Sequence, residues 1–304
     1  MSDTMASLGR KIGTAGDLQS VVRTMKAVAA SSISQYESAV RALDDYYRTV
    51  QLGLVACFRQ RELNHAAMPE QRQGAGAIAA VVFGSDQGLV GQFNDVMVDF
   101  VVKKLGDLAG KKTVWAVGER ILSRLTETGL RLGKSFILPG SVGAITALVG
   151  QILMEIETLL EKGEITQVYV FHNRPHSGAI YTPECQRLLP LDETWRRELT
   201  AIRWPTQNLP EVMEVMEVME GGEATLRAFV REYLFVSLFR ACAESLASEN
   251  ASRLAAMQRA EKNIDELLED LNRSFHRLRQ SGIDEELFDV ISGFEALTGP
   301  KLPG

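Results

Sequence analysis

Hydrophobic positions near the start of the chain fall on a helical repeat. Leu18, Val22, Met25, Ala29, Ser32, Tyr36, Ala39, Leu43, Tyr46 and Val50 alternate steps of four and three, the spacing that sets one stripe of a helix against a partner helix. The rhythm returns near the other end with Met257, Ala260, Ile264, Leu267, Leu271, Ser274 and Leu278, while Glu261, Lys262, Asp265, Glu266 and Arg277 occupy the remaining faces. Two such stripes in one chain can pair with each other. Proline and glycine interrupt helices, and no proline occurs before Pro69 or between Pro210 and Pro300, nor any glycine from Glu223 to Ser281. That stretch is rich in Ala, Leu, Glu, Arg and Met, so it predicts a helix of roughly sixty residues, on the order of 90 Å long. The small residues Ala29, Ser32 and Ala39 bring helices close but bury little apolar area, so this seam alone is modest in strength.

Between the long helices the pattern shortens. Ala77–Phe83, Thr113–Val117 and Gln167–His172 read as strands, with Phe136–Leu138 a further candidate; Asn94–Leu105, Glu119–Thr128 and Ala144–Leu160 read as helices. Strands alternating with helices predict a parallel sheet of Rossmann-like α/β type, with Ala179–Leu191 as a final strand or edge. The predicted fold is therefore α/β: a long antiparallel coiled coil of N- and C-terminal helices plus a central Rossmann-like domain. The boundaries are 1–60 for the N-terminal helix, 75–195 for the α/β domain and 211–298 for the C-terminal helix. Gln71–Gly76 forms the entry linker, Leu191–Pro210 with Trp195 and Trp204 the exit. The VME repeat at Val212–Glu220 reads as one or two exposed acidic helical turns.

Composition narrows the class. With 45% hydrophobic and 24% charged residues the chain is globular, not disordered or collagenous. A net charge of −6 argues against bulk nucleic-acid binding. Three scattered cysteines, Cys57, Cys185 and Cys242, provide neither a disulfide framework nor a CxxC metal pair, which points to a reducing compartment. Asp3, Arg10, Lys11 and Asp17 interrupt any secretory signal, so a cytoplasmic protein is expected. Ser135–Met154 is uncharged over a span-like length, but Pro139, Gly140, Gly143 and Gly150 break it. A strand, a turn and a buried helix are expected there, with no membrane span.

Candidate chemistry is sparse. Gly84-Ser-Asp-Gln-Gly-Leu-Val-Gly91 follows the first strand and enters a helix, where backbone amides could hold a phosphate. Its spacing is GxxxGxxG, and Asp86 would set a carboxylate beside the phosphate, so a tight turn capped by Ser85 or Asp86 is the preferred reading. Gly129-Leu-Arg-Leu-Gly133-Lys-Ser135 has three residues between its glycines and no helix after it, so it reads as a turn leading into a strand rather than a P-loop. His172, His176 and Cys185 invite a metal hypothesis, but Pro175 prevents the helix that would bring the histidines together. Surface-loop histidines are expected, with His65 and His276 also solvated. Asp44-Asp45 and Asp284-Glu285-Glu286 read as solvated helix faces or a helix start. No catalytic group, metal or cofactor is predicted.

Four segments together resemble a known family. Val22-Arg-Thr-Met-Lys-Ala-Val-Ala-Ala-Ser31 resembles the first-helix signature of the gamma subunit of F-type rotary ATP synthases. Ser248-Glu-Asn-Ala-Ser-Arg-Leu-Ala-Ala-Met-Gln-Arg-Ala260, continuing through Asn263, is similar to its C-terminal signature. Arg279-Gln280 with Ile283-Asp-Glu-Glu-Leu-Phe-Asp-Val-Ile-Ser-Gly293 resembles its closing segment, and Gly84–Asn94 the turn after the first strand of its central domain. The resemblance implies a non-catalytic central rotor whose terminal helices form an antiparallel coiled coil inside a ring of alpha and beta subunits. The α/β domain would sit on the membrane ion ring of c subunits, with the epsilon subunit as a further partner, so that ion flow drives ATP synthesis in the beta subunits. By position, Arg23, Met25 and Lys26 would face mobile beta-subunit lobes, and Arg279 and Gln280 a beta-subunit loop, where a guanidinium can make and break a forked carboxylate contact. Leu287, Phe288, Val290, Ile291 and Phe294 would form an apolar tip in the ring's upper collar.

The chain departs from the family in Ser32-Ile-Ser-Gln-Tyr-Glu37, where many gamma subunits are basic, and in the acidic crowd of Asp284, Glu285, Glu286, Asp289 and Glu295 near a tail at Leu297–Gly304. These imply a divergent branch, and the resemblance implies the cytoplasmic face of a bacterial plasma membrane. Two alternatives stay open: a nucleotide-binding α/β enzyme with a coiled-coil dimerisation arm, and a coiled-coil scaffold.

Overall fold

Two helices dominate the chain in sequence length: α1 over Met5–Leu63 and α6 over Gly221–Thr298. The computed structural model describes residues 4–63, 77–191, 193–202, 204 and 221–298. The entry linker, the VME repeat, His65 and most of the tail lie outside the described residues. At 78 residues, α6 runs past Ser281, and neither Gly282 nor Gly293 ends it. A single glycine costs a helix only about 1 kcal/mol, too little to offset a run of strong helix formers.

The chain forms two compact units, one from Met1–Val28 with Leu254–Gly304 and one from Ala29–Arg253. In the first, Leu8, Ala15 and Val22 are buried along α1, with Gln19 and Lys26 half-buried beside them. In the second, Ala29, Tyr36 and Val50 are buried, flanked by Ile33, Val40, Tyr47 and Leu54. Val22, Ala29, Tyr36, Leu43 and Val50 of the predicted seam thus hold, and Met25, Ser32 and Ala39 are half-buried as Lys26, Ile33 and Val40 are, while at Leu18 and Tyr46 the covered position lies one residue later, at Gln19 and Tyr47. Leu18 is 53% exposed and Tyr46 45%. A residue four ahead lies about 40° round the helix and one three ahead about 60° the other way, so spacing alone leaves the flank open. The same slip occurs in α6, where Leu268 and Phe275 are half-buried while Leu267 and Ser274 are exposed.

The second unit holds a five-stranded sheet in the order β3-β2-β1-β4-β5, from β1 (Ile78–Phe83), β2 (Lys112–Val117), β3 (Leu132–Phe136), β4 (Gln167–His176) and β5 (Ala179–Leu189). β1 pairs in parallel with β2 and β4, and β2 with β3; β4 and β5 close the edge as an antiparallel hairpin. The alternation of strands and helices gives parallel pairing because each crossover helix covers a face. Ile78, Ala80 and Val82 face α2 (Phe93–Gly106) and α3 (Glu119–Thr126), packing with Met97, Val101, Ile121 and Leu125. Ala79, Val81 and Phe83 face the other way and join a core with Ile145, Val149 and Ile152 of α4 (Val142–Glu161) and Leu54, Val236 and Leu246 of the long helices.

The third strand begins earlier than Phe136–Leu138. Gly129, at φ +72°, turns the chain so that extended backbone starts at Leu132. Gly133 lies against Trp115, whose ring a Cβ there would meet at 2.7 Å. The Gly129–Ser135 run is therefore a turn and a strand, as expected, and Lys134 pairs with Glu155 of α4 instead of awaiting a phosphate. Among the described residues, α4 alone is long and apolar enough to cross a membrane. Its Ile145, Leu148, Val149, Ile152, Leu153 and Ile156 are buried in the core instead. A short helix, α5 (Glu193–Thr200), occupies part of the expected exit; Trp195 stacks edge-on against Phe58 and Tyr233, at 6.2 and 5.1 Å between ring centres.

Candidate functional site

Within the first unit α1 and α6 run antiparallel, held across their seam by polar pairs. The Gln19 amide donates to Asp265, Arg23 Nε meets Glu261 Oε1 at 3.0 Å, and Lys26 Nζ closes on the other oxygen of Glu261. Hydrogen bonds from Lys26 and then Arg23 hold the Glu261 carboxyl below the usual carboxylate range. Two of the expected contact residues, Arg23 and Lys26, therefore already grip the partner helix, while Met25 is half-buried. Arg279 and Gln280 are exposed. Leu287, Phe288 and Ile291 are 56%, 67% and 45% exposed.

The second unit pairs the helices in the same sense. The Tyr46 hydroxyl donates to Glu232, which pushes its pKa up to about 12. Tyr47 and Tyr233 lie 5.9 Å apart, and Arg240 Nη1 meets Asp44 at 3.2 Å. From Arg240 the chain of charges turns inward. Its Nε donates to Glu244 Oε1 at 2.9 Å, and Glu244 Oε2 lies 2.9 Å from His172 Nε2. Arg174 Nε approaches Glu244 Oε1 at 3.6 Å and its Nη1 donates to Glu184 at 3.3 Å. Burial alone would raise the Glu244 pKa, but its bonds to His172 and Arg240 outweigh that and bring it below the ordinary value.

This corrects the expectation of surface-loop histidines. His172 is 3% exposed, because His172–His176 continues strand β4 as one arm of a hairpin instead of forming a loop. Pro175 is tolerated there because it lies past the last pairing of β4 with β1 and at a register irregularity between Arg174 and His176. His176 is exposed, as is His276. Cys185 stands opposite Phe171 in the hairpin, and burial pushes its thiol up to about 11. Among the described residues no group of three His, Cys, Asp or Glu could hold a metal.

The glycine-rich turn is likewise committed to structure. Asn94 Oδ1 accepts the Ser85 amide at 3.0 Å and Asn94 Nδ2 donates to Ser85 Oγ at 2.8 Å. Neither Ser85 nor Asp86 caps the helix that follows, contrary to expectation. Asp86 Oδ1 instead accepts the Glu119 amide at 2.9 Å, capping α3 across the sheet end. Gly84 is required because a Cβ would stand 2.2 Å from Ile121 Cβ. With the Ser85 amide already satisfied and a carboxylate beside it, the turn is no phosphate cradle.

What the turn does hold is α6. Ser252 Oγ donates to the Val90 carbonyl at 2.6 Å, and Ser248 Oγ to that of Asn173 at 3.0 Å. Asn173 Nδ2 in turn donates to the Phe93 carbonyl at 3.3 Å. Glu249, bonded to Arg253 at 2.6 Å, is buried so deeply that its carboxyl is raised despite that partner. Gly84–Asn94 and Ser248–Ser252, far apart in sequence, thus meet at one junction between sheet and helix. Sequence reading placed His172 on a surface loop and missed Glu244, Arg240 and this bonding. A faint signal existed in Ser248 and Ser252, one turn apart, and in a histidine ending a strand of apolar residues.

Comparison with known proteins bears on this arrangement. A family model described as ATP synthase matches residues 4–297. The chain is 25% identical over 297 residues to the ATP synthase gamma chain of Moorella thermoacetica, covering 96% of this chain and 99% of that one. It is 26% identical over 307 residues to that of Frankia casuarinae, covering 98% and 99%. Among solved structures it is similar to a chain of the Euglena gracilis mitochondrial ATP synthase OSCP/F1/c-ring assembly. The TM-score is 0.64 at 16% identity, over 98% of this chain and 97% of that one. A chain of the rotor of the same enzyme gives 0.62 at 17% identity, over 92% and 98%.

Proposed function

The chain belongs to the ATP synthase family, and from that premise we propose that it is the gamma-type central rotor of the complex, coupling ion flow through a membrane ring to ATP synthesis and hydrolysis in a ring of alpha and beta subunits. It is a rotor subunit and not itself catalytic. Its partners are the alpha and beta subunits, the epsilon subunit and the c ring. The observation that carries the reading is the antiparallel pairing of α1 with α6 through Gln19–Asp265 and the two cations on Glu261. Such internal satisfaction suits an element that turns as one body inside a ring, since its polar groups need nothing from neighbours that change with each step.

The helices within 1–60 and 211–298 form the shaft in this reading and 75–195 the foot on the ion ring. The protein is a peripheral part of the membrane-bound complex. The cytoplasmic face of a bacterial plasma membrane is its setting, which the bacterial sources of its gamma-chain relatives support. Arg279 and Gln280 meet a beta-subunit loop and Leu287, Phe288 and Ile291 the collar, a role their exposure supports. Met25, with Arg23 and Lys26, faces beta-subunit lobes; the cations then serve the shaft first, and their outer N–H groups the lobes.

Co-expression with alpha and beta subunits tests the function. The expected result is a stable complex that hydrolyses ATP, with no tight ATP or NAD site on the isolated chain by equilibrium dialysis. Failure to form a complex, or a tight nucleotide site on this chain alone, overturns it.

A further inference from the structure

Arg240, Glu244, Ser248 and Ser252 stand at steps of four on α6, which aligns them in one row along the helix. The last three are buried, and each is bonded to the end of a strand in the sheet of the second unit. Glu244 meets His172, just past the last pairing of β4 with β1, and Ser248 the carbonyl of Asn173 beside it. Ser252 donates to the carbonyl of Val90 in the turn after β1. From Glu244 to Ser252 the row is about 12 Å long. Arg240 ties Glu244 to Asp44 of α1, so both long helices of this unit are held to the same strand ends.

Packing does not require this row. Apolar groups of equal volume often serve stability as well as a buried ion pair or better, and the best-attested use of such a pair is to fix register. Here it is kept with a loose end: His172 Nδ1 is buried without a hydrogen-bond partner, which calls for a reason other than stability. Apolar contact is non-directional and holds a helix on a sheet without fixing its angle. A hydrogen bond weakens steeply as it bends, so three bonds along one row resist a twist about the α6 axis. We infer that Glu244 with its partner His172, Ser248 and Ser252 form a torsional lock, positioning residues that keep α6 from turning on the sheet so that the foot and the helices of a rotor move as one body. The inference rests on the rotor reading and names where torque passes between helix and sheet.

The lock predicts a change in stiffness without a change in chemistry. In complexes with alpha and beta subunits, the ring is fixed to a surface and a bead is attached through Lys103→Cys, at an exposed position of α2. The spread of bead angles is recorded in the pauses between steps at low ATP, below the melting temperature of each variant. Two variants break the lock: His172→Leu, and Ser248→Ala with Ser252→Ala, a change small enough to fold if the first does not. Two keep it: His172→Gln, whose amide can still donate to Glu244, and Glu249→Gln, which alters a buried carboxyl bonded to Arg253 within α6. Restraint adds over independent bonds, so the angular variance should rise about twofold in the first two and stay at the parent value in the others. ATP hydrolysis of the bead-free complexes should be unchanged in all four. If the lock-breaking variants spread no more than the parent, or His172→Gln spreads as much as His172→Leu, the lock is wrong while the rotor reading stands. If the parent's bead does not turn at all, both fall together.

Discussion

Glu244 and Glu249 stand five residues apart on α6, both buried, and the same substitution should affect them in opposite directions. Glu244 is ionised and stabilised as such by Arg240 and His172. Glu244→Gln removes the charge from two charge-assisted bonds and leaves Arg240 with Asp44 alone on that side. Bonds to charged groups contribute about 1.5–3 kcal/mol, so a loss of about 2 kcal/mol is expected. In a unit of this size that lowers the melting temperature by roughly 4–8 °C. Glu249 is the reverse case: its raised pKa means that burial penalises the ionised form more than Arg253 repays. Glu249→Gln keeps the shape and removes that penalty, so stability at neutral pH should be unchanged or higher. The pH dependence follows. Because the folded pKa of Glu244 lies below the ordinary 4.5, its contribution is complete above about pH 4.5 and disappears as pH falls through the lowered value. The gap between parent and Glu244→Gln should therefore close in acid. Circular dichroism melts of both variants from neutral pH to pH 3 decide the matter. Equal losses in the two variants, or a Glu244→Gln gap that persists in acid, would refute the reasoning.

Other outcomes follow from the same geometry. Glu261→Gln should lower the melting temperature at low ionic strength, with the difference from the parent vanishing in 1 M KCl because the pairs with Arg23 and Lys26 are solvent-screened; a salt-independent loss would show that packing was removed instead. Gly84→Ala drives a Cβ into Ile121 and should cost about 1–3 kcal/mol, read as a lower melting temperature; parent-like melting would mean that α3 shifts freely. Cys185, with its thiol at about 11, exposes about one part in a thousand as thiolate at pH 8, so a disulfide reagent should modify it only slowly until the chain is denatured. Replacing Arg279 and Gln280 together with Ala should reduce ATP turnover of the assembled complex while leaving melting unchanged; unchanged turnover removes both from the contact set.

The architecture was legible wherever local chemistry and global fold agree. Proline-free, Ala- and Leu-rich ends can only be helices, and apolar runs such as Ile78–Phe83 alternating with amphipathic stretches specify a parallel sheet. The flank of each seam was not legible, since Leu18 and Tyr46 satisfy the repeat as well as Gln19 and Tyr47 do, and only packing chooses between them. Nor were the buried polar bonds. His172 owes its place to Glu244, 72 residues away, and Ser252 to a backbone carbonyl at Val90, a partner that leaves no mark in the sequence. The α5 helix, eight residues long, was too short to show a period.

Rotation itself is the most direct measurement. With the alpha/beta ring fixed to a surface and a bead attached at the exposed end of the β4–β5 hairpin, addition of ATP should turn the bead in one direction at a rate matching hydrolysis. A bead that stays still while the same complexes hydrolyse ATP would contradict the rotor account.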